Sequence, residues 1–441
     1  MDTESVGNGK RVLIFPFVAM GHITPFFELA KKLSQRGFHV YLLSTPINLT
    51  FIHNTHSSIH LVELHLPESP ELPPHRHTTN GLPPHLNDTL QNALKSSEPA
   101  FSDVVATLRP HLLIYDVLNP WAARVAESHS VPAVRLFTIG AAASSYLIHR
   151  LFREKEEYPF PELTLSTYDR ERLHKLLERR RSASKDTTVD RNLCVFIASR
   201  EMEGKYMDYI SELFGGRKVL LLGLLVRPEQ DDNDRFKAIM EWLGKKEENS
   251  TVYVSFGSEC FLSDEEIQEM AYGLEESRVN FVWVVRFPNG EEKNLEMALP
   301  KGFLDRVGGR GRVVEGWAPQ ARILSHPSVG GFVSHCGWNS VMESVVRGVP
   351  IIALPMQFDQ PVNAKLVVKI GVGVEVVRDD HTGKFRREDV AKSVGDVIRG
   401  KVGDTLRKSV KVMGENVRTK SLKEMDEAMG LMAHICRHEM Q

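Results

Sequence analysis

The stretch Trp317–Gln360 reads WAPQARILSHPSVGGFVSHCGWNSVMESVVRGVPIIALPMQFDQ. Within it, Val329–Val333 is a short apolar run suited to a buried parallel strand, ending at Ser334-His335. Cys336-Gly337-Trp338 turns the chain. Asn339 and Ser340 then open a helix whose apolar stripe is Val341, Met342, Val345 and Val346. Pro350–Leu354 is the next apolar run. Strand, glycine turn, helix and strand make a parallel crossover unit, so the fold class is α/β. The free N–H groups at such a helix start, together with the helix dipole, favour a phosphate. His335 and Asn339 add side-chain donors, and Trp317, beside Pro319, offers a flat face for a base. Ser340-x-x-Glu343 is also a plain capping box, so this pattern alone leaves an ordinary helix start and an anion site both open.

The same alternation extends outward in both directions. Thr251–Phe256 is a strand followed by a Gly257-Ser258 turn and a helix opened by the capping box Ser263/Glu266; Phe281–Val285 is another strand. Near the N-terminus, strands Arg11–Phe17 and Phe38–Leu43 flank a helix carrying Phe26, Leu29, Ala30 and Leu33 on one stripe, with Gly37 closing it. Thr24 suits the cap of that helix and Pro25 its first turn. His22 therefore falls at the carboxyl end of a strand beside a helix start, where open α/β sheets bind ligands. Leu112–Tyr115 ends on Asp116, and Pro132–Phe137 is followed by Thr138 and Gly140. Residues 64–90, rich in Pro and His, read as a long loop over a site, and 152–190, highly charged, as a mobile insertion with helical pieces. Arg227–Asp234 is the best linker candidate. The expected architecture is two facing, doubly wound Rossmann-like domains with a cleft between them. Their expected bounds are an N-terminal domain 1–226, a linker 227–236, a C-terminal domain 237–425 and a last helix 426–441 packing back on the first domain.

Composition bounds the function. A chain of 441 residues fits two domains. Lys+Arg 55 against Asp+Glu 57 gives a formal charge of −2, which argues against a nucleic-acid partner. The run Arg179-Arg180-Arg181 is expected to be solvated. Four scattered cysteines with no CxxC pair argue against a disulfide framework or zinc site and for a reducing, cytoplasmic compartment. The apolar run Val12–Val18 is too short to span a membrane, so no stable insertion is expected. There is no GxxxxGK[ST], no GxGxxG after the first strand and no HExxH, which weighs against a P-loop, a nicotinamide or flavin site and a zinc hydrolase.

The box W-A-P-Q at 317–320, H-C-G-W-N-S at 335–340, Glu343, G-V-P at 348–350 and D-Q at 359–360 resembles the signature of plant family 1 UDP-glycosyltransferases. Gly21-His22, Tyr115-Asp116, Glu203–Tyr209 (EGKYMDY) and Val254–Ser258 extend the resemblance along the chain. It implies a GT-B fold and a set of roles by position. Trp317 stacks on uracil and the Ala318 backbone pairs its edge. Gln320 and Glu343 hold the ribose. His335, Asn339, Ser340 and Ser258 hold the diphosphate, and Trp338, Asp359 and Gln360 grip the sugar of UDP-glucose.

A hydroxyl needs a positioned base near neutral pH, and an imidazole suits it when a carboxylate orients it and stabilises its charged form. His22 is the candidate base and Asp116 its partner. An in-line displacement then inverts the anomeric carbon, with the leaving charge on the helix start and His335, so no metal and no cofactor are expected. The chain looks similar to the group that adds glucose to a sugar already on a flavonoid or triterpenoid (mogroside-type) glycoside, with β-1,6 favoured over β-1,2. The segment Leu72–Pro84 carries part of that likeness; it reads as hydrogen-bond partners for sugar hydroxyls or as a solvated loop. The expected partners are a small-molecule glycoside and a UDP-sugar, the protein being a monomer. The competing readings are transfer to the bare aglycone, a UDP-sugar epimerase or hydrolase, and a non-catalytic UDP-sugar binder. Two departures stand out: Leu222-Gly223-Leu224-Leu225 replaces the family's V-G-P-L, and 152–190 is short for the group.

Overall fold

The structure, a computed structural model, describes residues 9–52, 57–183, 193–227, 236–290 and 292–437, the side chains of 179–183 excepted. Most of the expected linker and the side chains of the run Arg179–Arg181 lie outside the described residues.

Two all-parallel sheets organise the chain. The first contains β1 (Arg11–Phe15), β2 (His39–Ser44), β3 (Ile59–Glu63), β4 (Leu112–Asp116), β5 (Ala133–Phe137), β6 (Leu193–Phe196) and β7 (Val219–Leu221), in the order β3-β2-β1-β4-β5-β6-β7. The second contains β8 (Thr251–Ser255), β9 (Asn280–Val285), β10 (Gly311–Glu315), β11 (Val329–Ser334), β12 (Ile351–Ala353) and β13 (Gly373–Glu375), in the order β10-β9-β8-β11-β12-β13. Every residue of β4, β8 and β11 is buried, as expected of central strands covered by helices on both faces. Each sheet reverses its winding once, between β1 and β4 in the first and between β8 and β11 in the second. Loops leaving the strands diverge there and open a crevice.

The two halves are fastened to each other by a shared core. Phe137, Ala141 and Ala142 of the first half pack in one cluster with Trp338, Val341 and Val345 of the second. A single helix, Lys401–Arg437, spans both. Its Leu406 lies in a core of the second half, while Met425, Met429 and Met432 pack with Val12, Ile14 and Phe26 of the first. The expected boundary at 425/426 falls inside this continuous helix. Gly223 runs beside it with φ +59, and a Cβ there would come within 2.7 Å of the Ser421 backbone.

One helix start differs from expectation. The first helix spans Met20–Ser34, so it begins before Thr24 and carries Pro25 inside it. A helical proline is tolerated only if the carbonyl four residues earlier finds another donor. Gly21 O has one, the Asn339 side-chain amide of the other half at 2.6 Å. His22 thus lies within the first turn of the helix rather than ahead of it. The Ser263/Glu266 capping box is present, and Gly37 takes the left-handed conformation at φ +86.

Candidate active site

The first crevice brings His22 and Asp116 together. Asp116 ends β4 with its side chain fully buried, and its Oδ2 stands 2.7 Å from His22 Nδ1. The Leu118 N–H donates to Asp116 Oδ1 at 2.9 Å and fixes the carboxylate plane. A carboxylate only accepts, so His22 Nδ1 carries the hydrogen and Nε2 keeps its lone pair. The His22 side chain is 18% exposed, enough to meet a ligand. Burial opposes its positive charge, but the charge and hydrogen bond of Asp116, with Glu259 and Asp359 further off, outweigh it and raise the pKa above the usual 6.5. Thr138, just past β5, sets its Oγ1 2.9 Å from the same Nδ1 and shares that hydrogen. No role was assigned to Thr138 from sequence; its place at the strand end next to Asp116 was the available signal.

The second crevice is built on glycines. Gly257 follows β8 at φ +77, and His335 follows β11. A Cβ on Gly257 would lie 2.7 Å from His335 Nε2, and one on Gly337 2.6 Å, so the imidazole fits only between two bare backbones. Burial lowers its pKa to about 4, leaving it neutral at physiological pH, and its Nδ1 has no partner among the described residues. Cys336 turns the chain at φ +63, and Gly337 precedes the helix Trp338–Val346, which has no side-chain cap. Its first N–H groups are left for a ligand.

The remaining predicted donor-site residues fall into three groups. Gln320 Nε2 donates to Glu343 Oε2 at 3.0 Å and lies 3.2 Å from Ser340 Oγ, so the three form one cluster. Burial raises the Glu343 pKa against the opposing pull of the Gln320 hydrogen bond and of Arg347 and Arg227. Trp317 is 45% exposed, with its ring edge on Phe236, and Ala318 beside it is buried. Asp359 is half-buried and accepts the Asn363 amide at 2.7 Å, while Gln360 Oε1 accepts the Met356 and Gln357 N–H groups at 3.0 and 2.9 Å. Ser258 sits half-buried in the turn after Gly257.

Two predicted residues are already occupied in other ways. Trp338 is buried, and its indole N–H donates to Ile197 O in the first half at 2.6 Å, so its side chain braces the two halves. It lies over Gly140, where a Cβ would come within 2.9 Å of the indole and 2.7 Å of Glu203 Oε1. Glu203 in turn accepts the Ala142 N–H at 2.8 Å, and burial pushes its pKa up to about 8. The Asn339 amide donates to Gly21 O of the first half, so its side chain is engaged outside the diphosphate role expected for it.

The long loop and the insertion both cross the cleft. Thr79 Oγ1 donates to Glu259 at 2.8 Å, Arg286 donates to Asn80 Oδ1 at 3.2 Å, and the Asn289 N–H donates to Gly81 O at 2.8 Å. His77 and Thr78 are buried within the loop, so these two of its polar groups are not solvated. On the other side, the helix Thr167–Ala183 pairs Asp169 with buried Arg378, and Arg172 donates to Met356 O at 2.7 Å. No group of three or more His, Cys, Asp or Glu able to hold a metal occurs among the described residues.

A family model described as "Glycosyltransferase, N-terminal domain" matches residues 10–227, and one described as "UDP-glucoronosyl and UDP-glucosyl transferase" matches 226–440. The chain is 46% identical to a beta-D-glucosyl crocetin beta-1,6-glucosyltransferase of Gardenia jasminoides, over 97% of this chain and 99% of that one. It is 47% identical to a mogroside IIIx synthase of Siraitia grosvenorii, over 97% and 93% respectively. A Glycyrrhiza uralensis glycosyltransferase crystallised with glycyrrhetinic acid 3-O-monoglucuronide superimposes with a TM-score of 0.80 at 25% identity, covering 97% of this chain and 96% of that one.

Proposed function

The chain belongs to the UDP-glucoronosyl and UDP-glucosyl transferase family and is an inverting UDP-glycosyltransferase of GT-B fold, and on that premise we propose that it transfers glucose from UDP-glucose to a sugar hydroxyl of a flavonoid or terpenoid glycoside. The observation that carries the reading is the 2.7 Å His22–Asp116 pair at one switch point, across the cleft from the glycine-walled helix start at the other. Two relatives that cover nearly the whole chain support the acceptor class: one is named for β-1,6 glucosylation of β-D-glucosyl crocetin, the other for synthesis of a mogroside. The first of these names also supports β-1,6 over β-1,2 as the linkage.

In this reading residues 1–226 present the acceptor and 237–425 the donor. His22 Nε2 takes the proton of the acceptor hydroxyl, and the freed oxygen attacks the anomeric carbon from the face opposite the diphosphate. The bond from that carbon to the β-phosphate oxygen breaks, UDP departs, and the product is a β-glycoside. Asp116 stabilises the imidazolium as it forms. Trp317 and Ala318 receive uracil, Gln320 and Glu343 the ribose, and Ser258, His335, Asn339 and Ser340 the diphosphate. Asp359 and Gln360 take the sugar, while the Trp338 indole stays on Ile197 O and braces the two halves. The Asn339 amide stays on Gly21 O, so this residue's contribution to the diphosphate is its backbone N–H at the helix start. Neutral donors and the helix dipole carry the leaving charge, so the step needs neither metal nor cofactor. No helix among the described residues is long and apolar enough to cross a membrane, and all four cysteines are buried with none in a disulfide; we place the protein in the cytoplasm, as a monomer.

The test is a product assay with UDP-glucose, using an aglycone and its monoglucoside in parallel and mapping the new linkage by NMR. Turnover of the glucoside to a β-1,6 diglucoside is expected. Turnover of the aglycone alone would overturn the reading of the acceptor.

A further inference from the structure

Resting on the reading that the acceptor already carries a sugar, we propose that Glu259 is the residue that reads that sugar: it accepts its ring hydroxyls and disfavours a sugar bearing a carboxylate. Glu259 follows Ser258 in the turn leaving β8, at the switch point of the donor sheet. Its carbonyl accepts the Gln357 side-chain amide at 3.2 Å, which ties it to the loop that leads into Asp359-Gln360. Its carboxylate reaches the other way and accepts Thr79 Oγ1, on the long loop of the acceptor half, at 2.8 Å. The same carboxylate acts through space on both His22 and Asp359. It therefore stands where the acceptor loop, the donor turn and the sugar loop converge, in view of the base, and it is only half-buried.

The chemistry suits a sugar better than an aglycone. A glucosyl ring offers several hydroxyl donors on adjacent carbons, and a carboxylate has about four acceptor sites, of which Thr79 uses one. Hydrogen bonds to a charged acceptor are about twice as strong as neutral ones. No Lys or Arg among the described residues forms an ion pair with Glu259. With Asp359 nearby, the site is negative and opposes a uronic acid on the acceptor. A mere tether across the cleft would not require this charge. The adjoining bridge from the Asn289 N–H to Gly81 O is neutral on both sides, and the Arg286 bridge ends on a neutral amide oxygen of Asn80.

The experiment compares the full-length wild type, Glu259→Gln and Thr79→Val with UDP-glucose. The acceptors are an aglycone, its O-glucoside and its O-glucuronide, in whichever series, flavonoid or triterpenoid, the wild type turns over. Glu259→Gln is expected to raise KM for the glucoside about tenfold with a smaller change in kcat, and to cut the preference for glucoside over glucuronide by about the same factor. Its affinity for UDP, measured by calorimetry, reports that the donor half is intact. Thr79→Val is expected to leave the glucoside-to-glucuronide preference within about twofold of wild type. The proposal is overturned if Thr79→Val reproduces the effects of Glu259→Gln on every acceptor, because the pair would then be only a tether. It is also overturned if Glu259→Gln lowers turnover of aglycone and glucoside equally. A wild type that uses only the aglycone overturns the acceptor reading, and this assignment with it; a wild type that uses the glucoside with an indifferent Glu259→Gln overturns this assignment alone.

Discussion

The two sheets each place a histidine at the switch point, on opposite sides of it, and treat it in opposite ways. His22 follows β1 and His335 follows β11, each beside the switch point of its sheet and each at or just before a helix start. His22 receives Asp116 at 2.7 Å, and its pKa rises. His335 is packed between Gly257 and Gly337 with no carboxylate partner, and burial drives its pKa down to about 4. In the proposed reaction one imidazole accepts a proton and the other remains a neutral donor in front of the diphosphate. Both stand at a switch point; the neighbour from the strand across it decides the chemistry, Asp116 on β4 in one sheet and Gly257 past β8 in the other.

The hardest way to break this contrast is to remove the base. His22→Ala should lower kcat by about a hundred- to ten-thousandfold while UDP still binds, as calorimetry and single-turnover assays can show. Near-normal turnover would mean that another group takes the proton. Next comes Asp116→Asn, which makes the first site resemble the second. Asp116 favours the charged imidazole, so its loss lowers the His22 pKa. The wild-type acid limb of kcat/KM should lie above pH 6.5, where His22 loses its proton, and the variant limb should move to lower pH. Turnover should fall about a hundredfold, because the asparagine no longer stabilises the imidazolium and can favour the wrong tautomer. An acid limb that does not move would detach Asp116 from the base.

A smaller effect sharpens the other side. His335→Gln keeps a neutral donor in the glycine slot and should reduce kcat about tenfold, less than loss of a whole oxyanion donor. Because His335 is already neutral above about pH 4, the shape of the pH profile should not change between pH 5 and 9. A changed acid limb in this variant would show that His335 carries charge during the reaction.

The legibility of the sequence follows the same contrast between centre and edge. The central strands β1, β4, β8 and β11 stand out as apolar runs because both faces are covered. The unread strands include all four sheet edges: β3, β7, β10 and β13. Ile59–Glu63 is mostly exposed, Gly311–Glu315 is half-covered, and the other two have three residues each, too few to show a pattern. His22 and Asp116 were legible through the family resemblance, their own surroundings supplying only a place after a strand and beside a helix start. Thr138 and Glu259 were not, because their meaning depends on neighbours 116 and 180 residues away, brought close by the first sheet in one case and by the meeting of the two halves in the other. Pro25 misled for a related reason: the donor that replaces its missing N–H comes from Asn339, far along the chain.

The finest test concerns Thr138, which has no counterpart at His335. Its Oγ1 lies 2.9 Å from His22 Nδ1, where one hydrogen faces two acceptors. Thr138→Val keeps the branched shape but removes the weaker acceptor, so the hydrogen goes wholly to Asp116. One neutral hydrogen bond contributes about 0.5–1.5 kcal/mol, which corresponds to a fall in kcat of about two- to tenfold. The acid limb should stay within a few tenths of a pH unit of wild type, since the charge that raises the His22 pKa remains. Measured beside Asp116→Asn, the variant separates aiming the imidazole from charging it. If Thr138→Val moved the acid limb as far as Asp116→Asn does, the hydroxyl rather than the carboxylate would govern the base.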